Sequence, residues 1–405
     1  MSASPATQPS RRPRSPNFSC GPCTKFPGWT VDVLKSAPLG RSHRAPLGKG
    51  RLQQVIGETH ALLGLPADYL VGILPASDTG AVEAALWSLL GPRPVDVFAW
   101  ESFGKEWVTD CLQQLTSLQT RSFVADFGTL PDLHRADFTH DVVFTWNGTT
   151  AGVIVPDGDW IPDDRAGLTI CDATSSACAI PMPWHKLDVV TFSWQKVLGG
   201  EAQHGILILS PRAVQRLESH VPAWPVPKIF RLARDQQLIR GIFEGDTINT
   251  PSMLCVEDAL AAMAWARSVG GSAGLERRTR ANARALGDWV ERTPWITYLA
   301  TDAATRSPTS VCLRLAPAAA VGMPVEEQAL WFKRIIAALE EEGVAYDIGS
   351  YRDAPPGLRI WCGATVETAD LEILTEWLDW AHAVHGGGRG TGAAAGRGAS
   401  LAAAL

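Results

Sequence analysis

Between residues 50 and 210, stretches whose apolar positions recur every three or four residues alternate with short runs that are almost wholly apolar. The first spacing lays one helix face on a core, and the second is that of strands buried on both faces. Together they predict an α/β fold with a mainly parallel, mixed sheet covered by helices. Strands are predicted over 69–74, 95–100, 142–146, 168–171, 188–193 and 205–209, and a helix over 81–90. After Pro251 the texture turns helical, over 253–268 and 274–291. A smaller α+β unit follows, with strands over 310–315 and 358–362 and helices over 325–341 and 369–383.

The 405 residues suit two or three domains. The texture assigns 17–255 to a large domain and 256–385 to a small C-terminal one. Residues 1–16 hold three arginines, several Ser and Pro and no acid, and fourteen of residues 386–405 are Gly or Ala. Both ends have little to bury and are expected to form a disordered arm and tail. For the arm, a short organellar transit peptide is the alternative.

With 36 Lys+Arg against 42 Asp+Glu the net charge is -6, which argues against a dedicated nucleic-acid binder. No apolar run reaches the roughly 18–20 residues that span a bilayer, and no secretory signal opens the chain. A soluble cytoplasmic protein is the expectation. Eight cysteines are too sparse for a disulfide scaffold and are read as reduced thiols. Cys20-Gly21-Pro22-Cys23 has the letters of a thioredoxin-type redox pair, but that motif needs a strand before it and a helix after it. Here a Pro/Arg/Ser-rich segment precedes it, and Thr24-Lys25-Phe26-Pro27-Gly28 comes after. No second CxxC or HxxxH offers metal ligands.

In open α/β sheets ligands sit beyond the carboxyl ends of the strands. Ser77, Trp107, Thr149, Asp172 and Lys196 all fall there. The chain has only eight lysines, and Lys196 follows an apolar strand, where a partly desolvated amine attacks carbonyls readily. A lysine beside a strand also commonly snorkels to water, and Asp172 at a strand end is also an ordinary turn residue. The two together fit pyridoxal phosphate, which needs a lysine for its Schiff base and an acid against its pyridine nitrogen. Ser77-Asp78-Thr79-Gly80, opening a helix, offers N–H groups and hydroxyls to a phosphate. The same residues with Glu83 behind them also read as an N-cap box. Trp107 offers a face to a flat ring, or fills the core like many of the 16 tryptophans.

These residues, in this order, resemble the phosphoserine aminotransferases, fold-type I pyridoxal-phosphate enzymes, over residues 17–385. Phe18-Ser19-Cys20-Gly21-Pro22 is similar to the family's opening, and Ser42-His43-Arg44 to its early His-Arg pair. Asn147-Gly148-Thr149-Thr150-Ala151-Gly152 resembles its Asn-x-Thr-x-x-Gly, Asp172-Ala173-Thr174-Ser175-Ser176 its Asp-x-Ser-Ser turn, and Ser193-Trp194-Gln195-Lys196 its Gln-Lys. Asn249-Thr250-Pro251 is similar to the Asn-Thr-Pro that reaches the neighbouring subunit's cofactor.

The resemblance implies a homodimer with sites at the subunit interface. Catalysis would rest on Lys196, as Schiff-base lysine, and on Asp172 at the pyridine nitrogen. Trp107 would stack on the ring and Thr149 would bond its hydroxyl side. The phosphate would be held by Ser77, Asp78 or Thr79, Gln195, and the partner's Asn249 and Thr250. Arg359 would bind the substrate α-carboxylate, and His43, Arg44 and Arg352 the substrate phosphate. The implied reaction exchanges an amino group between glutamate and 3-phosphohydroxypyruvate in serine biosynthesis, with 4-phosphohydroxythreonine open as a second substrate. Two positions depart from the pattern. Ser77-Asp78 stands where the better-known branch has Gly-Arg, and the late His-Arg pair reads Tyr351-Arg352. Rival readings are a serine–glyoxylate or alanine–glyoxylate aminotransferase of the same fold, a non-catalytic cofactor-binding module, and a thiol oxidoreductase.

Overall fold

Seven strands line up as one sheet in the computed structural model, which describes residues 7–386. They are β1 (Leu70–Pro75), β2 (Val95–Ala99), β3 (Thr120–Val124), β4 (Asp141–Thr145), β5 (Thr169–Asp172), β6 (Val189–Ser193) and β7 (His204–Leu209). Their order across the sheet is β1-β7-β6-β5-β4-β2-β3, and only β7 runs antiparallel to its neighbours. All six predicted strands are present, each within a residue or so of its expected bounds. The strand missed in this sheet is β3, an edge strand in which only Phe123 is buried, so it carries no apolar run.

Because strand side chains alternate, the sheet feeds two cores. Val71, Ile73, Val142, Phe144, Ile206 and Ile208 face one. Leu74, Val97, Val143, Ile170, Leu207 and Leu209 face the other. Helices α1 (Pro46–Leu63) and α2 (Ser77–Leu89) cover these opposite faces. Three glycines in α1 dilute its apolar signal, and the pattern does not predict it. The short α3 (Ser102–Thr109) follows β2, and α4 (Pro211–Ser219) follows β7, capped by Ser210, which accepts from the Ala213 N–H.

Two long helices, α5 (Met253–Ser268) and α6 (Gly271–Arg292), lead to the smaller unit. There β8 (Ile296–Tyr298), β9 (Ser310–Leu315) and β10 (Leu358–Trp361) form an antiparallel sheet, backed by α7 (Val325–Glu341) and α8 (Thr368–His385). Indoles fill much of this core: the Trp295 ring lies 5.6 Å from Trp289 and 5.5 Å from Trp331.

Residues 7–16 differ from the expected disordered arm. They run along the small unit, where Arg11 pairs with Glu376, Arg12 with Glu342, and the Arg14 N–H donates to Asp370 at 2.8 Å. The Trp377 indole donates to the Arg11 carbonyl at 2.8 Å. Composition cannot reveal these acids, because they lie more than 300 residues away. The segment continues into β10, where Trp361 N–H donates to Phe18 O at 2.9 Å, so residues 17 and 18, expected in the large domain, pack on the small one. The tail expected over 386–405 lies outside the described residues except for Gly386, as do residues 1–6 of the arm.

Candidate active site

The turn from β1 into α2 forms one side of the site. Ala76 and Ser77 take φ of 66° and 54°, left-handed values that cost a non-glycine residue about 1–3 kcal/mol. The helix then starts with no side-chain cap, so the N-cap box expected as an alternative is not formed and the first-turn N–H groups lack that partner. Gly205 makes the turn possible, since a Cβ there would lie 2.1 Å from the Ser77 carbonyl.

Opposite this turn the chain leaves β6 through Ser193, buried Trp194 and Gln195 into Lys196. A tight turn, with Gly199 N–H on Lys196 O at 2.9 Å and Gly200 N–H on Trp194 O at 2.8 Å, aims the lysine inward. Lys196 is 7% exposed, and its amine donates to the Cys20 carbonyl. Gly21 leaves room for the amine in this position, because a Cβ there would come within 2.5 Å of Nζ. The Cys20–Cys23 motif is thus a wall of the site. Ser310 donates to the Cys20 sulfur at 3.1 Å, and burial pushes the Cys23 thiol well up despite Lys196 and Arg359 nearby, the reverse of a reactive thiol.

Asp172 ends β5, in register with Thr145 of β4 and Thr191 of β6. The Trp107 indole, from α3, donates to its Oδ2 at 3.2 Å, and the Thr174 N–H donates to its Oδ1 at 3.0 Å. Glu101 caps α3 by accepting from the Gly104 N–H at 2.6 Å and also accepts from the Thr150 hydroxyl at 2.9 Å. It is fully buried, and burial raises its carboxyl to about 7. Thr149 donates to Ser175 at 2.8 Å.

Ser77, Asp78, Thr79, Trp107, Thr149, Asp172, Gln195 and Lys196 all line one cavity of about 210 Å³. The structure therefore brings together eight of the residues chosen from sequence. It adds Glu101, Phe103, Thr145, Asn147 and Thr174 to the lining. Glu101 directly follows the predicted strand 95–100, a signal that could have found it; Thr145 and Thr174 flank named positions.

The other six do not line this cavity. Asn249 and Thr250 are exposed, as is Arg44. His43 is buried, with Nε2 unpartnered, and burial and Arg44 lower its basicity. Arg352 is exposed, 3.9 Å from Asp353. Arg359 is nearer: its guanidinium lies over the Tyr351 ring at 5.4 Å, and Tyr351 packs on Phe103 of the cavity wall at 5.5 Å. Its Nε is buried without a partner.

Buried polar atoms without partners mark where a ligand completes a site. Asp78 Oδ1, Thr145 Oγ1, Asn147 Oδ1 and Thr174 Oγ1 are such atoms, all on lining residues. A buried amine, an acid at the neighbouring strand end and an uncapped helix N-terminus fit pyridoxal phosphate, and with the sheet order they define a fold-type I pyridoxal-phosphate enzyme.

No protein-family model matches the chain. The chain is 59% identical over 375 residues to the phosphoserine aminotransferase of Methanosarcina mazei, covering 93% of this chain and 99% of that one. Among solved structures, a phosphoserine aminotransferase from Cytophaga hutchinsonii superposes with a TM-score of 0.76 at 20% identity, over 89% of this chain and 97% of that one. An alanine–glyoxylate aminotransferase from Nostoc has a TM-score of 0.75 at 16% identity, over 93% and 97%. The two folds match almost equally, so the fold leaves the substrate open and sequence identity decides the family. The chain belongs to the phosphoserine aminotransferase family of pyridoxal-phosphate-dependent enzymes.

Proposed function

We propose that the chain exchanges the amino group between glutamate and 3-phosphohydroxypyruvate, making phosphoserine in serine biosynthesis. The convergence of Lys196, Asp172 and the bare N-terminus of α2 on one cavity supports the transamination, and the 59% identity to the Methanosarcina mazei enzyme carries the choice of substrate. When bound, pyridoxal phosphate supplies a carbonyl that takes up the amino group and a ring that withdraws electrons from the substrate α-carbon.

The protein's part is to hold, orient and move protons. Lys196 Nζ holds the cofactor and, once displaced, serves as the base that takes the substrate α-proton and the acid that returns it. Asp172 accepts from the ring nitrogen, its carboxylate fixed by Trp107 and Thr174. Ser77 and Thr79 hold the phosphate with the first-turn N–H groups of α2. Gln195 helps, since its carbonyl is taken up by the Ser193 hydroxyl and its NH₂ is left to donate. Thr149 bonds the ring-hydroxyl side.

Arg359 binds the substrate α-carboxylate, which the unpartnered buried Nε supports. Arg352, tied only loosely to Asp353, meets the substrate phosphate. His43, Arg44, Asn249 and Thr250 serve the site of a second subunit in a homodimer, a role their placement away from this chain's own cavity supports. All eight cysteines are free, which suits the cytoplasm. Among the described residues no helix is long and apolar enough to cross a membrane.

The test is a keto-acid panel, with and without phosphate, read against glutamate. A preference above about tenfold for the phosphorylated acid is expected, since charged hydrogen bonds contribute ~1.5–3 kcal/mol each. Equal rates, or a preference for glyoxylate, would favour the alanine–glyoxylate type instead.

A further inference from the structure

Asp78 is the residue the proposed function leaves unexplained. An acid in the first turn of α2 would repel the very phosphate that the helix N-terminus attracts. The structure turns it elsewhere. Asp78 is 7% exposed, its carboxyl lies against Asp172, Thr174 and Thr191, and its Oδ1 has no hydrogen-bond partner. The hydroxyls of Thr174 and Thr191 are likewise buried and unpartnered. Neither Asp78 nor Asp172 has an arginine or lysine in ion-pair contact among the described residues.

Two neighbouring buried carboxyls with no cation beside them are most stable with a proton between them. The donors around them decide its place. Asp172 already accepts two N–H groups, from Trp107 and from the Thr174 backbone, so it is the acceptor of the pair. Asp78 has only hydroxyls beside it, which donate or accept as required. We propose that Asp78 is a positioning residue, a neutral carboxylic acid whose O–H donates to Asp172 and holds that carboxylate toward the cofactor ring nitrogen. This rests on the pyridoxal-phosphate reading and deepens it. It also explains how an acid is tolerated at a phosphate site: it carries no charge there. Burial and the Asp172 charge both push the Asp78 carboxyl well up, consistent with this state at neutral pH. The titratable groups around it are Asp172 and Cys171 of β5 and, across the cavity, Glu101 and Lys196.

Asparagine mimics a protonated aspartic acid, and alanine does not. Asp78→Asn is therefore expected to keep pyridoxal-phosphate affinity within about threefold of wild type. Asp78→Ala should weaken it about tenfold or more, the loss of one charge-assisted hydrogen bond. A second readout needs no cofactor. Infrared difference spectra of the cofactor-free chain at pH 8, wild type minus Asp78→Asn, should show one carboxylic-acid C=O band, because every carboxyl outside the pair is common to both chains and cancels. The proposal is overturned if that band is missing, or if Asn weakens binding as much as Ala. A wild-type chain that takes up no pyridoxal phosphate would sink the proposed function while leaving the infrared result to stand by itself.

Discussion

The two edges of the main sheet both bury acids and treat them in opposite ways. At the amino edge Asp96 is held by Arg121 and His140, Asp141 by Arg216, and Asp188 by Arg165 and Arg212. Asp141 also accepts from the Leu168 N–H at 2.8 Å, and Asp188 from the Thr169 N–H at 3.0 Å, so these pairs tie strands and helices together. At the carboxyl edge Asp172, Asp78 and Glu101 are also buried, yet no guanidinium touches them among the described residues. A buried acid answered by arginine is a fastener; one left with neutral donors keeps its protons and charge available to a ligand.

Breaking a fastener should hurt folding and spare chemistry. Arg216→Met leaves Asp141 buried without its cation, which costs about 3–5 kcal/mol. Denaturant unfolding should show that loss, while the folded fraction binds pyridoxal phosphate as wild type does. Lost binding at unchanged stability would erase the distinction between the edges.

The carboxyl edge should instead reveal itself through pH. Glu101 has its carboxyl raised from 4.5 to about 7 by burial, so between those values the unfolded chain releases a proton that the folded one keeps. Stability contributed here is full below about 4.5 and falls as pH rises toward 7, by ~1.4 kcal/mol per pH unit for one proton. Asp110, raised to about 7 by burial and by Glu83 and Glu106, adds in the same window, and His204, lowered to about 4 by burial, opposes it below 6.5. Glu101→Gln should flatten the cofactor-free chain's stability–pH slope by that one proton and leave the contributions of the other groups, Asp78 among them, in place. An unchanged slope would mean Glu101 is ionised when buried.

The amino acid order revealed much of this edge. Six apolar runs marked strands, and the segments beyond their carboxyl ends held Ser77, Trp107, Thr149, Asp172 and Lys196. The features that stayed hidden depend on three-dimensional neighbours. The direction of Asp78 comes from positive φ at Ala76 and Ser77, which no glycine signals. The order of residues 7–16 comes from Glu342, Asp370, Glu376 and Trp377, distant in sequence. β3 escaped because an edge strand with one buried residue carries no apolar run.

The central claim is that one lysine of eight does the covalent work. Borohydride reduction of the cofactor-loaded protein fixes the cofactor where it is attached, and peptide mapping locates it. The label is expected on the peptide containing Lys196 and on no other. Label on Lys25, Lys105 or any other lysine, or no stable label at all, would contradict the account.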